Sequence, residues 1–326
     1  MTLQLPIYFY QTIWFSFAII TLIIGTRLLI FMLMRMWRKQ KYKLVWTPIS
    51  SIERRSNLSY DEFFREYSSV GKPVIITDAM KDWPASTKWT LDFFNSECGS
   101  LKASVREDGD YKKQLQITIG DYIDYLTADE RSKTLYLFDF HPYNYPQLYN
   151  DYKVPVYFPN WFDRLPKKFQ EKYDYPLDYI MIGGKGCSIG LHVDGGYTYA
   201  WLALISGKKR CALFTPDQTE FLYNGKVDVF NPDLEKFPLY AKVKPVETIL
   251  EPGEILYIPT RWWHQVETLE DSIALSHNTI NEFNAELCFQ DIYKHSPINS
   301  YILPLALEFP LVTKSLFALN FFQKRT

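Results

Sequence analysis

The feature that most restricts this chain is a series of short apolar runs between Tyr179 and Ile280, each closed by residues that turn the backbone. The runs are Tyr179 to Gly183, Gly190 to Asp194, Trp201 to Ile205, Arg210 to Phe214, Thr248 to Leu250, Ile255 to Ile258, Gln265 to Thr268 and Ile273 to Ile280. Gly183-Gly184, Ser206-Gly207, Pro216-Asp217 and Pro252-Gly253 punctuate them. Many short strands at such spacing predict a mainly β domain, an antiparallel sandwich or barrel.

The segment before this region alternates helices and strands. Ser59 with Glu62 spells a capping box, and Phe63, Phe64 and Tyr67 share one face, so a helix is expected over residues 57–67. Strands are expected at Lys72 to Thr77, Ala103 to Val105 and Leu135 to Phe138. Helices are expected at Trp89 to Cys98 and from Ile119 to Leu126. The tail from Asn284 reads as helical, and Leu307, Phe309, Leu311 and Phe317 make it apolar enough to pack or to form a homodimer.

The N-terminus has a different character. No charged side chain occurs before Arg27, and Ile7 to Thr26 gives 20 residues. That is about 30 Å of helix, the thickness of a bilayer core. Trp14 and the Tyr8-Phe9-Tyr10 group suit the interfaces, and Arg35, Arg38, Lys39 and Lys41 close the C-terminal side. A cleaved signal peptide would need its basic residues on the other side and a small-residue cleavage site; a buried core helix is the plainer alternative. The expectation is therefore a transmembrane anchor over residues 1–34, a basic juxtamembrane linker over 35–51, a catalytic domain over 52–283 and a helical extension over 284–326. The positive-inside rule places the catalytic domain in the cytosol.

Six basic and no acidic residues precede Glu53, leaving 30 basic residues against 37 acidic ones, about −7, for the remainder. That sign argues against a nucleic-acid partner. The four cysteines show no CxxC pattern and point to a reducing compartment.

The chemistry concentrates in two places. His192 and Asp194 are two apart at the end of an apolar run, so on a strand they project to one face. An isolated HxD is a weak signal. Here Pro252-Gly253 introduces a further strand that Pro259 stops, and Trp262-Trp263-His264 follows. Two imidazoles and one carboxylate on one side of an ion form the facial triad of non-haem Fe(II) oxygenases, with the remaining positions open to an oxo-acid and O2. His141, His277 and His295 are assigned no role, His277 because it alternates with Asn278 and faces away.

At these residues the chain resembles the JmjC-type 2-oxoglutarate oxygenases. Leu135-Tyr136-Leu137-Phe138-Asp139, Asp151 to Pro155, and Ala200 to Leu204 followed by Gly207-Lys208-Lys209-Arg210 are similar to the phosphatidylserine-receptor-type lysyl hydroxylases. Asn231 to Pro238 and the His264 segment are similar to the asparaginyl hydroxylase that inhibits hypoxia-inducible factor and to the tRNA wybutosine hydroxylase. The resemblance covers roughly Lys72 to Ile280 and implies a double-stranded β-helix (jelly-roll, cupin/JmjC) with flanking helices. It implies Fe(II) held by His192, Asp194 and His264. It also implies 2-oxoglutarate seated by Lys209 and Tyr136, with Asn278 near the iron-bound end and Ser276 on the same face. One departure stands out: the threonine that family members often carry three residues before the first histidine is Ile189 here, and Ser188 is the candidate replacement. The resemblance implies hydroxylation of a protein side chain, lysyl first, with release of succinate and CO2. The alternatives are an RNA hydroxylase of the wybutosine kind and a non-catalytic cupin binding module.

Overall fold

A computed structural model describes residues 45–107, 113–131, 133–164 and 178–295, with scattered residues between 14 and 36 and at 303, 304 and 307. Among the described residues from 45 to 295, eleven strands and five α-helices order as β1 (Glu53–Arg55), α1 (Tyr60–Phe63), β2 (Val74–Ile76), α2 (Ala85–Lys88), α3 (Leu91–Cys98), β3 (Lys102–Glu107), β4 (Gln114–Thr118), α4 (Ile119–Thr127), β5 (Leu135–Phe140), β6 (Asp178–Gly183), β7 (Ser188–His192), β8 (Tyr199–Phe214), β9 (Val246–Leu250), β10 (Ile255–Ile258), β11 (Trp263–Thr279) and α5 (Ala285–His295).

Local signals set the helix starts. The Ser59 side chain accepts from Glu62 N while Ser59 N donates to the Glu62 carboxylate, which closes the capping box of α1. The helix then continues as a π-turn through Phe64–Ser68. Thr90 caps α3 and Thr118 caps α4 through the same backbone N–H geometry.

The strands form two layers joined through shared members. One layer runs β1-β2-β10-β8-β11-β6-β5-β3-β4; β7 and β9 pair with the remaining lengths of β11 and β8. Residues Tyr199–Ser206 of β8 face Ile273–Thr279 of β11 in the first layer, and Lys208–Phe214 face Trp263–Glu270 in the second. The Trp201 and Arg210 runs, expected as two strands split at Ser206-Gly207, are thus one 16-residue strand. The Gln265 and Ile273 runs likewise merge into one 17-residue strand. The turn signals between them are bulges: the β8·β11 register shifts three times between Thr268 and Ala274. Gly207 sits at φ +79, where a Cβ would lie 2.3 Å from the Asp271 carbonyl oxygen. The corner residue is glycine because no side chain fits.

The bulge also changes which residues face inward. Ala200, Leu202 and Leu204 pack into the barrel interior, but beyond Gly207 it is Cys211 and Leu213 that do so. Even numbers point inward before the corner and odd numbers after it, which turns Lys209 into the interior. A second core lies on the outer face of the long layer. There Tyr199, Trp201 and Ala203 meet Phe63, Tyr67, Trp83, Phe94 and Tyr122 from the flanking segments. Each large side chain fully buried there contributes about 1.5–3 kcal/mol.

Most of the expected membrane anchor lies outside the described residues. Those described between 14 and 36 are helical, and Trp14, Phe15 and Leu22 are each 70% exposed. Among the described residues no helix is long and apolar enough to cross a membrane. Arg35, at the end of this stretch, makes a bidentate 2.9 Å ion pair with the nearly buried Glu286 of α5. In the tail, Leu303 and Leu307 pack with Phe289, Cys288 and Trp161 of the same chain, so Leu307 is not available for a dimer contact. Phe309, Leu311 and Phe317 lie outside the described residues.

Candidate metal and cosubstrate site

Strand pairing brings the three expected ligands together. His192 closes β7 and stands opposite His264 near the start of β11. Asp194 follows two residues past the strand end. The imidazole centroids are 4.2 Å apart, and His264 Nε2 lies 4.0 Å from Asp194 Oδ1. One ligand atom from each of the three residues lies within 4.8 Å of the others. His192 Nδ1 is 2.8 Å from the Gly190 carbonyl and His264 Nδ1 is 3.2 Å from that of Trp262. With each Nδ1–H donating to a carbonyl, both Nε2 lone pairs remain for a metal. Burial, then the neighbouring His192, holds the His264 imidazole down at about 4, with Asp194 opposing. His264 is therefore a neutral ligand at physiological pH. Two nitrogens and one carboxylate on one side of a point suit Fe(II) with open positions.

Lys209 lies deeper in the same interior and is fully buried. Its Nζ donates to Tyr136 Oη at 3.1 Å and to Thr268 Oγ1 at 2.9 Å. Among the described residues it has no carboxylate within ion-pair distance. A buried ammonium with only neutral partners is costly, and an anion relieves that cost. Both hydroxyls accept from Lys209, so their own hydrogens stay free to donate. The third ammonium hydrogen completes a cradle of three donors. A carboxylate fits it, and with the iron triad in the same interior, so does a 2-oxo dicarboxylate.

The profile of the family described as cupin-like domain matches residues 60–283. The chain belongs to the cupin-like, JmjC-type family. It is 32% identical to the lysine-specific demethylase JMJ21 of Arabidopsis thaliana over 72% of this chain and 26% of the relative. It is 31% identical to the 2-oxoglutarate and iron-dependent oxygenase JMJD4 of Danio rerio over 74% and 63%. It is 27% identical to the bifunctional arginine demethylase and lysyl-hydroxylase psr-1 of Caenorhabditis elegans over 74% and 64%. The chain thus spans from about a quarter to under two thirds of the length of these relatives.

Within this cupin-like site, Thr268 is the residue that the sequence reading missed. It shares the parity of His264 and Val266 on β11, and that parity is the signal that finds it. Ser188 does not take the role expected of it. Its hydroxyl donates to the Ile189 carbonyl and accepts from Gln265 Nε2, which also donates to Asp228. Ile189 itself packs with Tyr136 and Phe138, and the hydroxyl that stands beside Lys209 is that of Thr268 on the facing strand.

Ser276 and Asn278 lie on the inner face of β11 with Ala274. Asn278 Nδ2 donates to Thr198 Oγ1 at 2.8 Å, and Thr198 Oγ1 donates to the Gly195 carbonyl, which ties Asn278 to the loop after Asp194. His277 faces the outer core against Trp201 and is kept low, at about 4, by burial. His141 is half-buried between Tyr143 and Tyr179, with Nδ1 2.8 Å from the Asp178 carbonyl.

Proposed function

We propose that this chain is an Fe(II)- and 2-oxoglutarate-dependent dioxygenase that hydroxylates a protein side chain, lysyl first among the candidates, with release of succinate and CO2. The observation that carries the reading is Lys209: a buried cation with no carboxylate within ion-pair distance among the described residues, in the same interior as the His192, Asp194 and His264 donors. The relatives named as iron- and 2-oxoglutarate-dependent oxygenase and as lysyl-hydroxylase support it. Bound iron and its cosubstrate supply an oxidant strong enough for an unactivated C–H bond. The protein binds and orients. Lys209, Tyr136 and Thr268 grip the distal carboxylate, the two Nδ1 hydrogen bonds fix the imidazoles, and the apolar wall of Tyr136, Phe138 and Ile189 excludes water.

The test is succinate release by the purified full chain with Fe(II) and 2-oxoglutarate, followed by reaction of the active chain with proteins first trapped by a His192→Ala variant and mass spectrometry of the products. A +16 Da product on a side chain is the expected outcome. Loss of 14 Da with formaldehyde would move the reading to demethylation, which the relatives' names also favour. Turnover stimulated by RNA alone would favour the RNA hydroxylase. No succinate above the His192→Ala control would leave a binding module.

The same reading places the protein as a single-pass membrane protein with its catalytic domain facing the cytosol. The uncharged stretch before Arg27 and the basic residues after it support this. In sealed microsomes, protease should remove the catalytic domain and spare the N-terminus; protection of the domain would reverse the orientation.

A further inference from the structure

Two cations at the edge of the cupin-like site have no part in the chemistry so far. Arg261 stands three residues before His264, and Tyr197 three residues after Asp194. Three residues span at most about 10 Å, so both stand on segments within that reach of a metal ligand. The Arg261 guanidinium sits 5.1 Å from the centroid of the Tyr197 ring, and Lys294 Nζ sits 5.4 Å from the same centroid. Three separate segments thus converge: the loop after β7, the turn before β11 and helix α5.

The convergence is built rather than incidental. Arg261 and Tyr197 both hold left-handed backbone, at φ +66 and +53. That conformation is costly for a non-glycine residue and persists where the surroundings enforce it. Helix α5 and the residue before it do so for Tyr197: Asn284 Nδ2 donates to its carbonyl at 3.2 Å, and Lys294 Nζ of α5 reaches its hydroxyl at 3.5 Å. Two positive side chains against one ring repel each other, and an anion between them relieves the repulsion. Lys294 has a 3.5 Å ion pair with Asp291 on its own helix, while Arg261 has no carboxylate within ion-pair distance among the described residues.

We propose that Arg261 and Lys294, braced on Tyr197, bind carboxylates flanking the side chain that enters the iron site, so that the preferred protein substrate is an acidic segment. The inference rests on the protein-hydroxylase reading and names its substrate class. An extended peptide rises about 3.3 Å per residue, so charges on segments within about 10 Å of the ligand residues meet positions up to roughly three from the target. A polybasic segment is disfavoured by the same charges.

The full chain in detergent micelles, loaded with Fe(II) and 2-oxoglutarate, is given synthetic peptides with a central Lys, Arg or Asn. Their flanks carry Asp and Glu, Gln and Ser, or Lys; succinate and the +16 Da product are read together. Acidic flanks should lower KM about tenfold against neutral ones, and the preference should fade as salt rises from about 0.05 to 0.5 M because the charges are exposed. Arg261→Gln should raise KM for acidic peptides several-fold more than it lowers kcat, Lys294→Gln should do so less, and Arg261→Lys should retain the preference. Oxidised peptide formed without regard to flank charge overturns the inference, as does an Arg261→Gln variant that keeps the acidic preference. Succinate with no oxidised peptide in any class overturns it while leaving the oxygenase reading in place. No succinate above a His192→Ala control overturns both.

Discussion

The barrel interior has two ends, and they solve opposite problems. At the metal end, His192 and Asp194 are half-buried beside the buried His264, and the loop from Gly195 to Tyr197 borders them. At the other end Lys209 is fully buried against two hydroxyls. An ion that must accept O2 and a substrate needs an approach from outside. A cation that must select a dicarboxylate works best where water does not compete, because charge discriminates more strongly in a low dielectric. The contrast teaches that the metal end is read through geometry and the lysine end through burial.

Removing a metal ligand should have the largest effect. His264→Ala leaves two donors, and turnover should fall at least about 1000-fold, some 4 kcal/mol, with loss of Fe(II) binding in metal titration. Retained activity would show that the metal end does not depend on the triad.

Lys209→Met sharpens the contrast because it should push two quantities in opposite directions. The KM for 2-oxoglutarate should rise about 100-fold. The protein without cosubstrate should unfold at equal or higher urea concentration, by up to about 2 kcal/mol, since an unpaired buried charge has been replaced by an apolar chain. A destabilised apo variant would mean that Lys209 is balanced without its anion.

Gly207→Ala tests the corner that sends Lys209 inward. With φ +79 and the Asp271 carbonyl in the way, it should cost about 2–3 kcal/mol by urea unfolding and weaken 2-oxoglutarate binding more than Fe(II) binding. Equal losses at both ends would refute a local role for the bulge.

His277 gives a pH probe remote from both ends. Its imidazole titrates near 4 in the fold because of burial, against about 6.5 in the unfolded chain. The unfolded state therefore takes up a proton first, and stability falls as pH drops from 6.5 toward 4. By pH 5.5 the loss should be about 1.4 kcal/mol, and His277→Gln should flatten the slope between pH 7 and 5.5. Thr268→Val should have the smallest effect. Loss of one neutral hydrogen bond at the lysine end, about 1 kcal/mol, should raise the 2-oxoglutarate KM about fivefold without touching Fe(II) affinity.

Much of this site was legible in the sequence, though unevenly. His192, Asp194 and His264 were readable because a two-residue spacing and a Pro-bounded strand are local signals. Lys209 was found through the family resemblance, and the structure shows why composition hides it: it sits inside a Lys208-Lys209-Arg210 run whose neighbours pair outward with Glu270 and Glu247. Thr268 was passed over because threonine in a strand is ordinary, and only its parity with His264 marks it. Ser206-Gly207 read as a turn because glycine marks turns and bulges alike, so one long strand looked like two. β1 and β4 were missed because the first is Glu-Arg-Arg and the second is largely exposed, so neither shows an apolar run.

The two long strands have a consequence for how the site comes into being. β8 and β11 carry Lys209, Thr268 and His264, and their pairing runs through both layers. Neither pocket can assemble until segments some 60 residues apart in the chain have zipped together. Iron retention should therefore report on folding of the whole barrel, and a newly made chain should gain its grip on metal and on dicarboxylate in one cooperative step.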